Sequence, residues 1–236
     1  LLVGLGNPNP NNTNNRHNVG FLVIDAINKK FQLSKQKPKF KGLLTTGQID
    51  EQKVYAIKPL TFMNSSGICI KELIDYFKIE SKDVFVFHDD MDIDSGKVKV
   101  KFGGSNAGHN GIESIDKNIG KYYTRIRIGV GHPKFNSTGA DHVLDNFSHD
   151  EKQSVEEVTK NIIESLSILI KKDLEIEFTS LNESLLKTYH WLIENKKKRL
   201  NYFSLRGENF ILQNIPVPLY RKCIWKFFDF FILVIS

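Results

Sequence analysis

Apolar residues recur along the first 171 positions in two rhythms, and each rhythm marks a kind of element. Leu1 to Leu5 is a short, nearly unbroken apolar run ended by Gly6-Asn7-Pro8, which reads as a buried strand. Asn9 to Asn15 is almost entirely Asn and Pro, suited to turns and opposed to a helix. From Asn18, a candidate N-cap, apolar residues at Val19, Leu22, Val23, Ala26 and Ile27 form one stripe of a helix to about Phe31. Leu43 to Ile49 and Lys53 to Lys58 read as two strands joined at Asp50-Glu51-Gln52. Pro59 to Gly67 then leads into a helix with Ile70, Leu73, Ile74 and Phe77 on one face.

The second half repeats the rhythms. Val84 to Phe87 is apolar without alternation, as in a strand covered on both faces. Lys97 to Phe102 alternates strictly, placing lysines on one face and apolar groups on the other, and Arg125-Ile126-Arg127-Ile128 does the same. Between them a turn from Gly103 to Gly111 feeds a helix from about Ile112 to Ile119, and an amphipathic helix from about Asp150 to Lys171 closes the body.

Charge changes the picture only after it is located. The formal net charge is +6, and the residues from Leu185 onward hold nine Lys and Arg against three Asp and Glu. The first 184 residues therefore balance at 24 of each sign, and any polyanion site there must come from local arrangement. Two cysteines, Cys69 and Cys223, form neither a disulfide framework nor a metal cluster. No secretory leader is read before Leu1, so a cytoplasmic location is expected.

Several stretches could carry chemistry, and each has a plainer reading beside it. Gly4 and Gly6 begin a dinucleotide fingerprint that fails at Asn9. His17 stands just before a helix start, where the partial positive charge favours the neutral, basic imidazole; it could equally cap or pack. Asn64 lies at a strand-to-helix junction, as a site residue or an N-cap. His88-Asp89-Asp90-Met91-Asp92 ends the apolar strand, where functional groups gather in open α/β sheets. Asp90, Asp92 and Asp94 imitate a calcium loop, but Ser95 and Lys101 stand where Gly and Glu are needed. The lysine and arginine faces could clamp a phosphate or merely be solvated. The loop around Ser105 presents backbone N–H groups to an anion, while Gly103 and Ala107 spoil a nucleophile elbow.

In this order, Gly4-Leu5-Gly6-Asn7-Pro8, Arg16-His17-Asn18-x-Gly20, Thr61-Phe62-Met63-Asn64-x-Ser66-Gly67, His88-Asp89-Asp90-Met91-Asp92, Gly108-His109-Asn110-Gly111 and Arg125 to Pro133 resemble the bacterial peptidyl-tRNA hydrolases. The resemblance implies an α/β single domain over residues 1–184, with a central twisted mixed β-sheet flanked by helices, acting as a monomer without metal or organic cofactor. It implies hydrolysis of the ester joining a peptide to the terminal ribose of tRNA, recycling tRNA released prematurely from ribosomes. His17 would be the general base and Asp89 its orienting acid; Asn7, Asn12, Met63, Asn64 and Asn110 would bind the peptide and 3′ end. Lys101 and Arg127 would hold an acceptor-stem phosphate, with no obligatory protein partner and no transmembrane segment. A non-catalytic RNA-binding relative on the same fold, as in chloroplast intron splicing, is the alternative; the His17, Asp89, Asn7 and Asn110 set speaks for catalysis. The chain departs from the family at Asn12 and Asn15, where tyrosine and threonine are common, and at Ser105-Asn106-Ala107 in a less glycine-rich loop.

Residues 185–236 share none of this resemblance. They hold both tryptophans, the run Lys196-Lys197-Lys198-Arg199 and an apolar close from Ile224 to Ser236. That close, interrupted by Lys226 and Asp229, is too short for a membrane span, which takes roughly 20 apolar residues. The stretch is expected to be an extension with no role in catalysis.

Overall fold

A computed structural model of the chain describes residues 1–9, 13–133 and 138–170. The expectations for Asn12 and for residues 185–236 lie outside the described residues. Among the described residues the strands and α-helices are β1 (Leu2–Gly4), α1 (Val19–Lys30), β2 (Lys37–Lys39), β3 (Gly42–Ile49), β4 (Gln52–Pro59), α2 (Ser66–Phe77), β5 (Phe85–Asp90), β6 (Val98–Phe102), α3 (Asn110–Ile119), β7 (Thr124–Gly129), α4 (Gly139–Leu144) and α5 (His149–Leu169). Of these, β2 and α4 were not anticipated from the apolar pattern. Both are short and expose most of their side chains, so neither leaves a hydrophobic period to read.

The strands form one sheet in the order β2-β3-β4-β1-β5-β7-β6. Its middle, β4-β1-β5-β7, is parallel, and β2, β3 and β6 join in antiparallel fashion, which makes the sheet mixed as expected. Strand alternation splits the core in two. Leu2 and Phe87 pack with Val23, Ile27, Val158 and Ile162 of α1 and α5, while Val3, Leu5 and Val86 pack with Ile70, Leu73, Ile112 and Ile115 of α2 and α3.

The buried stripe of α1 is Val19, Val23, Ile24 and Ile27, turned slightly from the expected one. Leu22 and Ala26 are only half-buried and line a groove shared with α5. Glycines set how closely α1 approaches the sheet. A Cβ on Gly4 would lie 2.3 Å from the Gly20 carbonyl oxygen, and one on Gly20 would lie 2.3 Å from that of Phe87. Gly4, from the failed nucleotide fingerprint, and Gly20 therefore together seat the start of α1 against β1 and β5.

Candidate active site

Parallel strands point their carboxyl ends the same way, so the loops after β1, β4, β5 and β7 gather at one end of the sheet. Asp89, the penultimate residue of β5, is buried there. One of its oxygens, Oδ1, receives two imidazoles: His17 Nδ1 at 2.9 Å and His109 Nε2 at 3.1 Å.

His17 arrives on a short 3₁₀ turn, Arg16–Asn18, that precedes α1. That turn is held from both sides. The Arg16 guanidinium donates from Nε and Nη2 to the two carboxylate oxygens of Glu151, at 3.1 and 2.8 Å, and from Nη1 to the carbonyl of His142 at 3.0 Å. Asn18 stands at the helix start but does not cap it. Its side chain instead accepts from the Asn7 amide at 2.6 Å and donates to the Asn7 carbonyl at 3.1 Å, pinning the turn after β1 beside His17.

His109, to which the sequence assigned no role, also joins this site. Its Nδ1 accepts from the amides of Gly111 and Ile112, at 3.0 and 3.3 Å, so the side chain caps α3. An imidazole nitrogen that accepts carries no proton, which places the proton on Nε2, facing Asp89. His17 is protonated the other way round. Its Nδ1–H donates to the carboxylate, and Nε2 is left with a lone pair and no hydrogen-bond partner among the described residues. A helix begun on histidine rather than Ser, Thr, Asp or Asn gives a weak sequence signal. The Gly108-His109-Asn110-Gly111 run was the only hint.

The electrostatics follow from this shared oxygen. Burial alone would raise the Asp89 carboxyl, yet the charges and hydrogen bonds of His17 and His109 outweigh it and hold the group well below the usual carboxylate range. Burial alone would lower His17, and the Asp89 charge and hydrogen bond more than compensate, so its pKa is raised. The helix start alone would shift His17 downward, so the expected direction of the shift is corrected: a carboxylate at 2.9 Å outweighs a partial helix-end charge. Beside them, burial and the neighbouring His109 push His88 down to about 3. Its Nδ1–H donates to the Asp89 carbonyl at 2.8 Å.

Among the described residues, His17, Asp89 and His109 are the one group whose ligand atoms lie close enough, within 4.8 Å, to share a cation. A cation there would displace the two protons now held between the imidazoles and Asp89. Asp90 is engaged otherwise, accepting from the Asp92 amide at 3.0 Å and from Arg127 Nε at 2.6 Å.

The remaining candidates stand at the starts of α2 and α3. Met63 is buried in the turn before α2, and a Cβ on Gly111 would meet its sulfur at 2.5 Å, so Met63 lies against the start of α3. Asn64 is exposed and makes no cap; its Oδ1 accepts only from the Ser65 hydroxyl, at 3.3 Å. Asn110 is exposed at the first turn of α3.

The cationic strand faces do align, since Lys99 pairs with Arg127 and Lys101 with Arg125. Arg125, however, is removed from any clamp: it is 2% exposed, bonded to Asp116 at 2.7 Å and to the Ser105 carbonyl at 2.6 Å. It ties the glycine-rich loop to α3. Lys101 and Arg127 are thus diagonal neighbours on one face, with Lys101 exposed and Arg127 bound to Asp90.

Comparison with known proteins meets this geometry. Residues 1–189 match the family model described as peptidyl-tRNA hydrolase. The peptidyl-tRNA hydrolase of Pelagibacter ubique is 65% identical over 182 residues, covering 77% of this chain and 98% of that protein. That of Rickettsia prowazekii is 44% identical over 181 residues, covering 76% and 97%. The crystal structure of peptidyl-tRNA hydrolase from Acinetobacter baumannii superposes with a TM-score of 0.68 at 31% identity, covering 71% of this chain and 86% of that one.

Proposed function

The chain belongs to the peptidyl-tRNA hydrolase family and hydrolyses peptidyl-tRNA; from that premise we propose that His17 is the general base and Asp89 the acid that orients it. The observation that carries this reading is the 2.9 Å contact from Asp89 to Nδ1, which leaves the lone pair on Nε2. His17 Nε2 removes a proton from water as its oxygen attacks the ester carbonyl carbon, and the buried Asp89 stabilises the imidazolium that results. The amides of Asn7, Asn64 and Asn110 donate to the tetrahedral oxyanion without adding a charge. As the intermediate collapses, the bond to the ribose oxygen breaks. The His17 proton passes to that oxygen, releasing a free peptide acid and a tRNA 3′-hydroxyl. His109 holds Asp89 in place and touches neither water nor ester.

Met63 lines the floor for the peptide and 3′ end, and Asn12 is assigned to binding the same part of the substrate. Lys101 takes an acceptor-stem phosphate together with Arg127, whose remaining N–H groups are not bonded to Asp90. No helix among the described residues is long and apolar enough to cross a membrane. The enzyme acts as a cytoplasmic monomer, and residues 185–236 play no part in turnover.

The test is release of peptide from an N-blocked aminoacyl-tRNA. Wild type should cleave, and His17→Ala should lose at least about 10³-fold in kcat while keeping its fold and tRNA affinity. A folded His17→Ala that turns over within about tenfold of wild type removes His17 as base. A wild type disabled by chelator would instead move the chemistry to a metal at His17, Asp89 and His109.

A further inference from the structure

The balanced charge of the body hides one local excess. From Lys29 to Lys41 the chain carries six lysines and no acid. Three of them, Lys35, Lys37 and Lys39, alternate along the approach to and length of β2, the edge strand opposite β6. All of β2 is exposed. Among the described residues Lys41 is the one lysine of the six with a carboxylate partner, Glu72. The nearby acids are already engaged: Asp25 by Lys58 and Gln36, and Asp75 by Lys71.

This edge is also built. The Lys39 ammonium lies 4.4 Å from the Tyr76 ring centre, 4.7 Å from Phe40 and 5.8 Å from Phe77. Tyr76 is 62% exposed, so one aromatic ring stands open among the cations. The two-residue turn from β2 to β3 is Phe40-Lys41, with φ of 53° and 54°, where a mirror-image hairpin turn ordinarily takes Asn-Gly. That strained turn is held by the Phe40 ring on Tyr76 and Phe77 and by the Lys41 carbonyl, which accepts from Leu60 N–H at 2.8 Å. Leu60 begins the loop that carries Met63 and Asn64. The register of Gly42 with Pro59 therefore puts the turn at the same end of the sheet as Asp89. β2 lies four strand positions from β5, roughly 19 Å at ordinary strand spacing.

We propose that the β2 edge is a second RNA-contact surface, on which Lys35, Lys37 and Lys39 engage backbone phosphates of the substrate tRNA beside the exposed ring of Tyr76. The proposal rests on peptidyl-tRNA being the substrate. A protein strand could not add here cleanly, because Pro38 lacks an N–H in the middle of β2 and lysines flank it. Spaced ammonium groups with an open ring suit a polyanion whose backbone is charged at every unit and whose bases can stack.

The experiment measures affinity for uncharged tRNA by fluorescence anisotropy across a salt series. It uses wild type, the triple variant Lys35→Gln, Lys37→Gln, Lys39→Gln, and the double variant Lys35→Gln, Lys37→Gln, which leaves the Lys39 ring contacts intact. The slope of log K against log salt should shallow by about 2–3 for the triple variant and about 1–2 for the double, with roughly tenfold weaker binding at 0.15 M salt for the triple. Unchanged slopes in both folded variants overturn the proposal, as does an equal loss toward a polyglutamate peptide, which would mark a general acid-binding face. Cleavage of N-blocked aminoacyl-tRNA by wild type, measured in parallel, separates the two readings. Absent cleavage would strike the activity and leave the binding result standing.

Discussion

Two helix starts deliver a histidine to the same carboxylate oxygen, and among the described residues only one of those histidines keeps a ring nitrogen without a hydrogen-bond partner. At the start of α1 the ring approaches Asp89 through Nδ1, and no backbone amide reaches its other nitrogen. At the start of α3 the ring approaches through Nε2, because two amides of the helix occupy Nδ1. The ring centres are 5.0 Å apart. Proximity to an acid therefore does not distinguish base from support; the neighbouring amides do, by choosing which nitrogen keeps the lone pair. The two rings differ in place: His109 is itself the N-cap residue of α3, whereas His17 precedes the N-cap position of α1, which Asn18 occupies while its side chain bonds Asn7.

The comparison breaks most severely if the shared acceptor is removed. Asp89→Asn should lower kcat by roughly 10³-fold. It should also move the pH profile: wild-type kcat/KM rises as His17 deprotonates, at a pKa raised above its ordinary value, and the variant's rise should fall at lower pH. An unmoved limb would show that the profile does not report His17. Folding stability obeys the same linkage with opposite signs for the two partners. The raised His17 contributes stability below its unfolded pKa that is lost as pH rises through the folded value. The depressed Asp89 contributes stability above its unfolded pKa that is lost as pH falls.

A smaller effect is expected at the other histidine, and it can be divided. His109→Ala should reduce kcat about tenfold and cost about 1 kcal/mol of stability through the lost cap, read by chemical denaturation. His109→Asn restores a good cap without reaching Asp89, so stability should return while kcat does not. Recovery of both would make His109 a structural cap alone. Gentlest on turnover should be Gly111→Ala, whose methyl would press on Met63, Leu5 and the His109 ring. It should cost about 1–3 kcal/mol in stability, with KM changing more than kcat. A kcat loss matching that of His109→Ala would show that the cap, not the packing, had moved.

Much of this site was legible in the chain, for a local reason. His17 and Asp89 stand at ends of elements whose apolar periods are clear, and in a parallel sheet such ends meet at one edge. Asn7, Met63, Asn64 and Asn110 follow the same logic, each at a junction. Arg125 and Arg127 show where the logic stops. They share one strand face by alternation, yet α3 and the glycine-rich loop close over Arg125 while Arg127 stays partly open, at 23% side-chain exposure. Periodicity names the face of a strand; it does not name what later lies across it. Asn18 misled for a related reason, since an asparagine before a helix satisfies the N-cap preference whether or not its side chain is recruited elsewhere.

By itself the sequence determined every strand and helix but β2 and α4 among the described residues, the family and the pair of residues proposed here as base and orienting acid, because periodic burial and turn residues act over a few positions. The tertiary structure alone decided which nitrogen of each histidine faces Asp89, that one arginine is buried and its neighbour half-open, and that a lysine-rich hairpin edge lies at the same end of the sheet as the site. Those outcomes depend on contacts between segments far apart in the chain, His17 with Asp89 and His109 among them, which no local pattern records.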